Sequence, residues 1–385
     1  MRSKRTHTML TLGLIVFLAS SMTPRAAVDL EANGSAALEV VMLAPAAMRT
    51  STSSMPADAN ERVDRWIEFL TGRNADRTRL WLERSGRYAP HIREQLRLRG
   101  MPEDLVYLAF IESGFSPKAH SSAGAAGIWQ FMAETGRRYG LEVSRYLDER
   151  RDPIESTRAA LSYLQELHAR FGSWHLAAAA YNTGENRVER ILRERVGGRR
   201  GDDALFWRIA PHLPRETRDY VPLMLAAQQI AKSPESFGFD GIRYQEPLAF
   251  DTAWVPAQVT LELVARAAQV ATTSIEDLNP QLHRGVTPPN RAWPVRLPVG
   301  TLDRFAAHFN TLYHSERTKL TRDRVAGLQT DATSQPSSSR YHTVRRGENV
   351  TVIARRYGLS MRRLLSLNAL RMSSRIYPGQ RLRLR

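Results

Sequence analysis

The sequence predicts a mainly α domain followed by two small α+β modules, each built as strand, helix, helix, strand. Three observations carry this. From residue 61 to about residue 231, apolar residues recur at helical spacing, in runs separated by Gly or Pro. Two later segments then repeat each other: LVARAAQVATTSIEDLN (263–279) aligns without gaps on VIARRYGLSMRRLLSLN (352–368), at an offset of 89 residues. Both copies end in a Pro/Gly turn and an apolar–basic alternation, as in YPGQRLRLR, which suits a strand.

Taken in order, the chain begins with Arg2, Lys4 and Arg5, an apolar run over 9–19 and then small residues. Residues 1–27 therefore predict an export signal, with an uncleaved membrane anchor as the alternative. The run is short for a helix that must cross a bilayer with ~20 apolar residues. Residues 28–60 are rich in Ala, Ser, Thr and Met without helical spacing and read as a tether. Residues 61–232 form the helical domain. Residues 243–300 contain the first small module, 313–340 a polar Ser/Thr-rich stretch expected to be a flexible linker, and 341–385 the second module.

Composition limits the function classes. Hydrophobic residues make up 42% of the chain, so most of it is expected to fold. A formal charge of +16 suits an anionic partner, whether nucleic acid, lipid surface or acidic polymer, and equally a solvated Arg-rich surface, and composition does not separate these. No nucleic-acid motif accompanies the charge, so nucleic acid is not the expected partner. The absence of cysteine removes disulfides, thiolate metal sites and cysteine nucleophiles. The histidines are scattered without a paired-ligand spacing, so neither a metal nor a cofactor is expected.

The chemistry-bearing stretch is FIESGFSPKAHSSAGAAGIWQFM, residues 110–132. Pro102, Glu103 and Asp104 suit the first turn of a helix. Leu105, Leu108 and Glu112 then fall on one stripe, which ends at Ser113–Gly114. A carboxylate on an apolar stripe is partly desolvated, and desolvation favours its protonated form. A retained proton is what a general acid requires. A solvated glutamate at a frayed helix end is the plain alternative. Beyond it, SSAGAAG offers little side-chain bulk, so a ligand can approach the backbone. Trp129 and Phe131 offer faces for sugar rings or for a core, and Gln130 supplies a donor and an acceptor. No second carboxylate occurs between Glu112 and Glu134, which favours chemistry that one carboxylate completes. Further on, Tyr181 and Asn182 end an alanine-rich helix that Gly184 caps. Tyr220 begins a helix expected to stop or kink around Pro222.

Together these motifs resemble the soluble-lytic-transglycosylase (SLT) domain, a lysozyme-like fold, of the membrane-bound lytic murein transglycosylase D family. The resemblance covers about residues 62–230 and rests on ESGFSPKAHSSAGAAGIWQFM, TGRRYGL, DERRDPIEST, AAYNTGENRV and ETRDYVP, in that order. The repeated unit resembles the LysM carbohydrate-binding module, recognisable at 341–385 and degenerate at 243–300. The resemblance implies cleavage of the β-1,4 bond between N-acetylmuramic acid (MurNAc) and N-acetylglucosamine (GlcNAc) in peptidoglycan, leaving a 1,6-anhydro ring. It implies Glu112 as the sole catalytic acid and then base. Ser121, Gln130 and Met132 match positions lining the family's sugar cleft, and Tyr181 and Asn182 match its AYN motif. Tyr220 matches the tyrosine near the catalytic carboxylate, and Glu216 an acidic position nearby.

The implied partner is the peptidoglycan glycan strand, met by an exported monomer in the periplasm or cell envelope of a Gram-negative bacterium, membrane-associated if the N-terminal segment is retained. The chain departs from the family in lacking its usual lipid-attachment cysteine and in carrying Glu348 in the last module where a Gly-Asp-Thr-type turn is common. A lysozyme-type hydrolase and a non-catalytic wall-binding scaffold are the competing readings.

Overall fold

The computed structural model describes residues 60–333, 341–345, 347–371, 374 and 376–384, with backbone alone after Thr318 in the helix that ends at Thr333. The expected export segment and tether, up to residue 59, lie outside these residues, as does 334–340.

The helical domain opens with α1 (Glu61–Thr71), started by Asn60, whose side chain accepts from the amides of Arg62 and Val63 at 3.0 and 3.2 Å. Next come α2 (Ala75–Leu98), a 3₁₀ turn at Glu103–Leu105, α3 (Val106–Ser113) and the short α4 (Ala133–Arg138). Helix α5 (Pro153–Phe171) begins with Asp152 as N-cap and Pro153 in the first turn. It is followed by α6 (Trp174–Thr183), α7 (Glu185–Val196), α8 (Asp203–Ile209) and α9 (Arg215–Lys232). Helix α6 is central: Leu176 and Ala177–Ala180 are fully buried, and the small side chains let α5, α7, α8 and α9 pack around it.

Helix α9 continues through Pro222, where the sequence suggested a stop or kink. Proline removes one helical amide there. Burial of Tyr220, Val221, Met224 and Leu225 on both sides holds the helix together across it.

The two modules have the expected order. The first is β1 (Asp251–Val255), α10 (Leu261–Ala268), α11 (Thr272–Leu278) and β2 (Trp293–Leu297), with the strands antiparallel from Asp251 opposite Leu297 to Val255 opposite Trp293. Helix α12 (Leu302–Thr333) follows, and then β3 (Tyr341–Thr343), α13 (Val350–Arg356), α14 (Met361–Leu367) and β4 (Arg381–Arg383). The repeat extends to hydrogen bonds. Asn279 donates to the Ile275 and Arg296 carbonyls, both at 2.8 Å, and Asn368 donates to those of Leu364 and Arg383, both at 2.8 Å. In each module this side chain ties the end of the second helix to the last strand.

The expected linker at 313–340 is helical as far as Thr333. Phe305 and Phe309 of α12 are buried in the first module's core, Tyr313 packs against it, and Glu316 pairs with Arg266. Once a turn is nucleated by such packing, each added residue gains a hydrogen bond. The first module is also joined to the helical domain. Leu147 lies in the module's core, and Arg296 Nη2 reaches the Asp152 carboxylate at 2.8 Å. Among the described residues, no helix is long and apolar enough to cross a membrane.

Candidate active site

Glu112 sits in the last turn of α3, which ends at Gly114 with φ +58°. Only glycine fits there, because a Cβ would fall 1.9 Å from Trp81. Ser113 Oγ donates to the Ile128 carbonyl at 2.8 Å and accepts from the Ser116 amide at 3.1 Å, fixing the chain beyond the helix. The glutamate is therefore carried by a helix whose remaining side chains from Val106 to Phe110 are buried.

Tyr220 of α9 donates its hydroxyl to Glu112 Oε1 at 2.6 Å. One turn before it, Glu216 accepts from Asn182 Nδ2 at 3.1 Å, and Asn182 Oδ1 accepts from Thr217 Oγ1 at 2.7 Å. Glu112, Asn182, Glu216 and Tyr220 line a cleft of about 550 Å³ together with Trp66 of α1 and Arg215, Asp219 and Leu223 of α9. The Glu112 side chain keeps access to this cleft, while the surrounding protein excludes most bulk water. Burial raises its pKa to about 7, partly opposed by the Tyr220 hydrogen bond and assisted by the nearby Glu216 charge. Burial, with the Glu112 charge next, also raises the Tyr181 and Tyr220 phenols, so both are neutral hydrogen-bond donors.

The other expected residues sit on the loop between α3 and α4, or beside it. Tyr181 Oη donates to the Trp129 carbonyl at 2.8 Å. Gln130 adopts φ +48° and donates through Nε2 to the Gly127 carbonyl at 2.8 Å. Ser121 Oγ accepts from the Ala125 amide at 3.0 Å. Met132 is 46% exposed, apolar surface presented to solvent just before α4. None of these four lines the cleft that Glu112 opens into, so the structure divides the expected set between a cleft group and a loop group.

One open alternative for the loop is decided and one expectation is corrected. Trp129 and Phe131 are not ring-stacking platforms: both are buried in the core, and Trp129 Nε1 donates to Thr157 Oγ1 at 3.0 Å. The small residue at Gly127 makes room for protein, because a Cβ there would lie 1.7 Å from the Arg150 carbonyl oxygen. Arg150 is the loop's organiser. Its guanidinium is buried, pairs with Asp148 through Nε and Nη2 at 2.8 Å each, and donates from Nη1 to the Gly124 and Phe131 carbonyls at 2.8 and 2.9 Å.

Sequence reasoning missed Trp66, Arg215, Asp219, Leu223 and the Arg150–Asp148 pair. The α9 residues were within reach: positions 215, 216, 219, 220 and 223 follow helical spacing from Glu216 and Tyr220. No second carboxylate lies between Glu112 and Glu134, and the packing of α9 on α3 brings Glu216, the acidic position the resemblance placed nearby, and also Asp219 into the same cleft. Among the described residues, no group of acidic or histidine side chains is arranged to hold a metal ion.

In the second module, Glu348 accepts from the Arg345 amide at 2.8 Å, from His342 at 2.7 Å and from Arg356 at 2.5 Å. These donors, the amide first, lower its pKa to about 2. The longer carboxylate arm thus folds back to hold the turn at Gly347.

Residues 90–200 match the transglycosylase SLT domain, 249–314 the lytic transglycosylase MltD LysM-like domain, and 342–385 the LysM domain. Membrane-bound lytic murein transglycosylase D of Escherichia coli (strain K12) is 35% identical over 298 residues, covering 77% of this chain and 62% of that protein. Membrane-bound lytic murein transglycosylase F of Alcanivorax borkumensis is 36% identical over 24% of this chain and 21% of its own. Soluble lytic murein transglycosylase of Salmonella typhimurium is 33% identical over 30% of this chain and 18% of its own. The chain thus spans less than two thirds of the length of each of these relatives. Residues 90–200 thus match the transglycosylase SLT domain, two LysM-type matches follow, and over 298 residues the chain is similar to membrane-bound lytic murein transglycosylase D.

Proposed function

We infer that this protein is a peptidoglycan lytic transglycosylase that cleaves the β-1,4 bond between MurNAc and GlcNAc and leaves a 1,6-anhydro-MurNAc end. The observation that carries this reading is a cleft-facing glutamate whose pKa lies at about 7, with the Tyr220 hydroxyl 2.6 Å from its Oε1. At neutral pH such a group is divided between its two forms, so it can give a proton and take one back.

Glu112 protonates the bridging oxygen as the bond from the MurNAc C1 breaks, and the GlcNAc O4 leaves as a hydroxyl. The C1 centre becomes an oxocarbenium-like cation. The MurNAc 6-hydroxyl oxygen then bonds to C1, and its proton passes to the Glu112 carboxylate. The proton lost in the first step is thereby recovered, and no water is consumed. Tyr220 holds the carboxylate in place. Glu216 orients Asn182, and the two present polar groups to the sugar. Ser121, Gln130 and Met132 on the neighbouring loop extend the binding surface, and Tyr181 fixes the loop to α6. The second LysM module binds wall glycan, and the enzyme works as an exported monomer in the bacterial envelope.

Glu216 and Asp219 line the same cleft and favour a second reading, a hydrolase in which one of them activates water. Mass analysis of products from purified wall glycan separates the two. Anhydro ends are expected from the wild type and about 10³-fold fewer from Glu112→Gln. Products one water heavier would replace the transglycosylase with a hydrolase.

A further inference from the structure

The charges of the cleft do not cancel. Three carboxylates line it, and each has its own partner: Glu112 accepts from Tyr220 at 2.6 Å, Glu216 from Asn182 at 3.1 Å, and Asp219 faces Arg62 Nη1 at 3.5 Å. The cation among the lining residues is Arg215, which is exposed and has no carboxylate within ion-pair distance among the described residues. Its position is also unfavourable for the helix. Arg215 is the first residue of α9, where the helix dipole favours negative charge and disfavours positive. An arginine placed against the dipole, unpaired, and at the rim of the cleft that holds Glu112 is available to an anion brought by the ligand. The wall beside it is apolar: Trp66, Ile111 and Leu223 are all partly buried and face the same space.

We propose that Arg215, with this apolar wall, is a carboxylate-binding subsite for the peptide stem attached to MurNAc. The proposal rests on the transglycosylase reading of the same cleft. The stem begins on a lactyl ether and carries free carboxylates next to small apolar groups. A guanidinium binds a carboxylate through two parallel N–H···O bonds, and the methyl-bearing stem lies against Trp66 and Leu223. A strand stripped of its stems keeps only the lactyl carboxylate, close to the sugar ring, and lacks the stem carboxylates further out that this subsite would bind. The subsite therefore makes the enzyme prefer strands with their stems in place.

The test compares the full chain and Arg215→Gln on three substrates. These are glycan strands with intact stems, the same strands after an amidase has removed the stems, and strands whose stem carboxylates have been converted to amides. For the wild type, kcat/KM is expected to be about tenfold higher on intact strands than on either of the others, the size of one charge-assisted contact. The difference is expected mainly in KM. In Arg215→Gln this preference is expected to fall to about one, and Arg215→Lys to restore part of it. An equal preference in wild type and Arg215→Gln would overturn the proposal, as would a wild-type preference that survives amidation of the stems. The same ratios are read as binding constants in the Glu112→Gln background. If the wild type fails to cleave any strand, the reaction assignment fails, and the binding ratio still decides the fate of the carboxylate subsite.

Discussion

At the scale of single residues, Glu112 and Tyr220 carry the testable chemistry. Glu112→Gln keeps the shape and removes the proton, so turnover is expected to fall by about 10³-fold, within the usual range for a general acid. Because the Glu112 pKa is about 7, the acid form is lost as pH rises through that value, and the rate on wall glycan should decline on the alkaline side with that midpoint. Tyr220→Phe removes the hydrogen bond that lowers this pKa. The alkaline limb should therefore move to higher pH while the maximal rate drops, as a pH–rate profile will show. The same shift has a stability consequence. A carboxyl whose pKa is higher folded than unfolded favours folding below its unfolded pKa, and that contribution is lost as pH rises through about 7. Glu112→Gln should thus stabilise the fold at pH 8, by an amount on the order of 2 kcal/mol, and do little at pH 4. Thermal unfolding at the two pH values checks the sign. Glu112 could be singled out in the sequence because its stripe neighbours Leu105 and Leu108 are local. Arg215 was not singled out, because its role depends on which groups stand across the cleft.

At the scale of elements, the loop between α3 and α4 places Ser121, Gln130 and Met132 of the expected binding residues, and its shape depends on Arg150 and Gly127. Two glycines of this loop make a controlled comparison. Gly124 (φ +90°) and Gly127 (φ +83°) both have backbone that an L side chain adopts at a cost of about 1–2 kcal/mol. A Cβ on Gly124 meets nothing within 4 Å, whereas one on Gly127 would collide with the Arg150 carbonyl oxygen. Gly127→Ala is therefore expected to lower the melting temperature clearly more than Gly124→Ala, and to raise KM for glycan. Equal effects would mean that the loop moves freely away from Arg150. The small residues of SSAGAAG were visible in the sequence. Whether they made room for a ligand or for the protein's own backbone was not, because Arg150 reaches the loop from beyond α4.

At the scale of the whole molecule, the first LysM-type unit and the helical domain are joined by buried polar contacts. Arg296 on β2 bonds Asp152, the N-cap of α5, and the Asp148 amide donates to the Gln281 carbonyl at 2.9 Å. Both Arg296 and Asp152 are largely buried, so Arg296→Ala leaves a carboxylate without its cation, a change that typically costs about 3–5 kcal/mol. The expected result is early unfolding of the first module, seen as a second transition in calorimetry; a single unshifted transition would contradict the brace. The second module is predicted to act differently. Removing residues 341–385 should weaken cosedimentation with insoluble wall while leaving the turnover of short soluble strands largely intact.

The sequence by itself determined the helical domain, the two strand–helix–helix–strand units and the glutamate at the end of α3, because helical period, strand alternation and an 89-residue repeat are written in neighbouring residues. The entry of α12 into the expected linker, and the continuation of α9 through Pro222, came from packing on distant segments. So did the cleft itself, in which α1, α3 and α9 bring Trp66, Glu112 and Arg215 together. A periodic pattern specifies which face of a helix is buried. Which other face meets it is decided only when side chains from remote parts of the chain fill the same space.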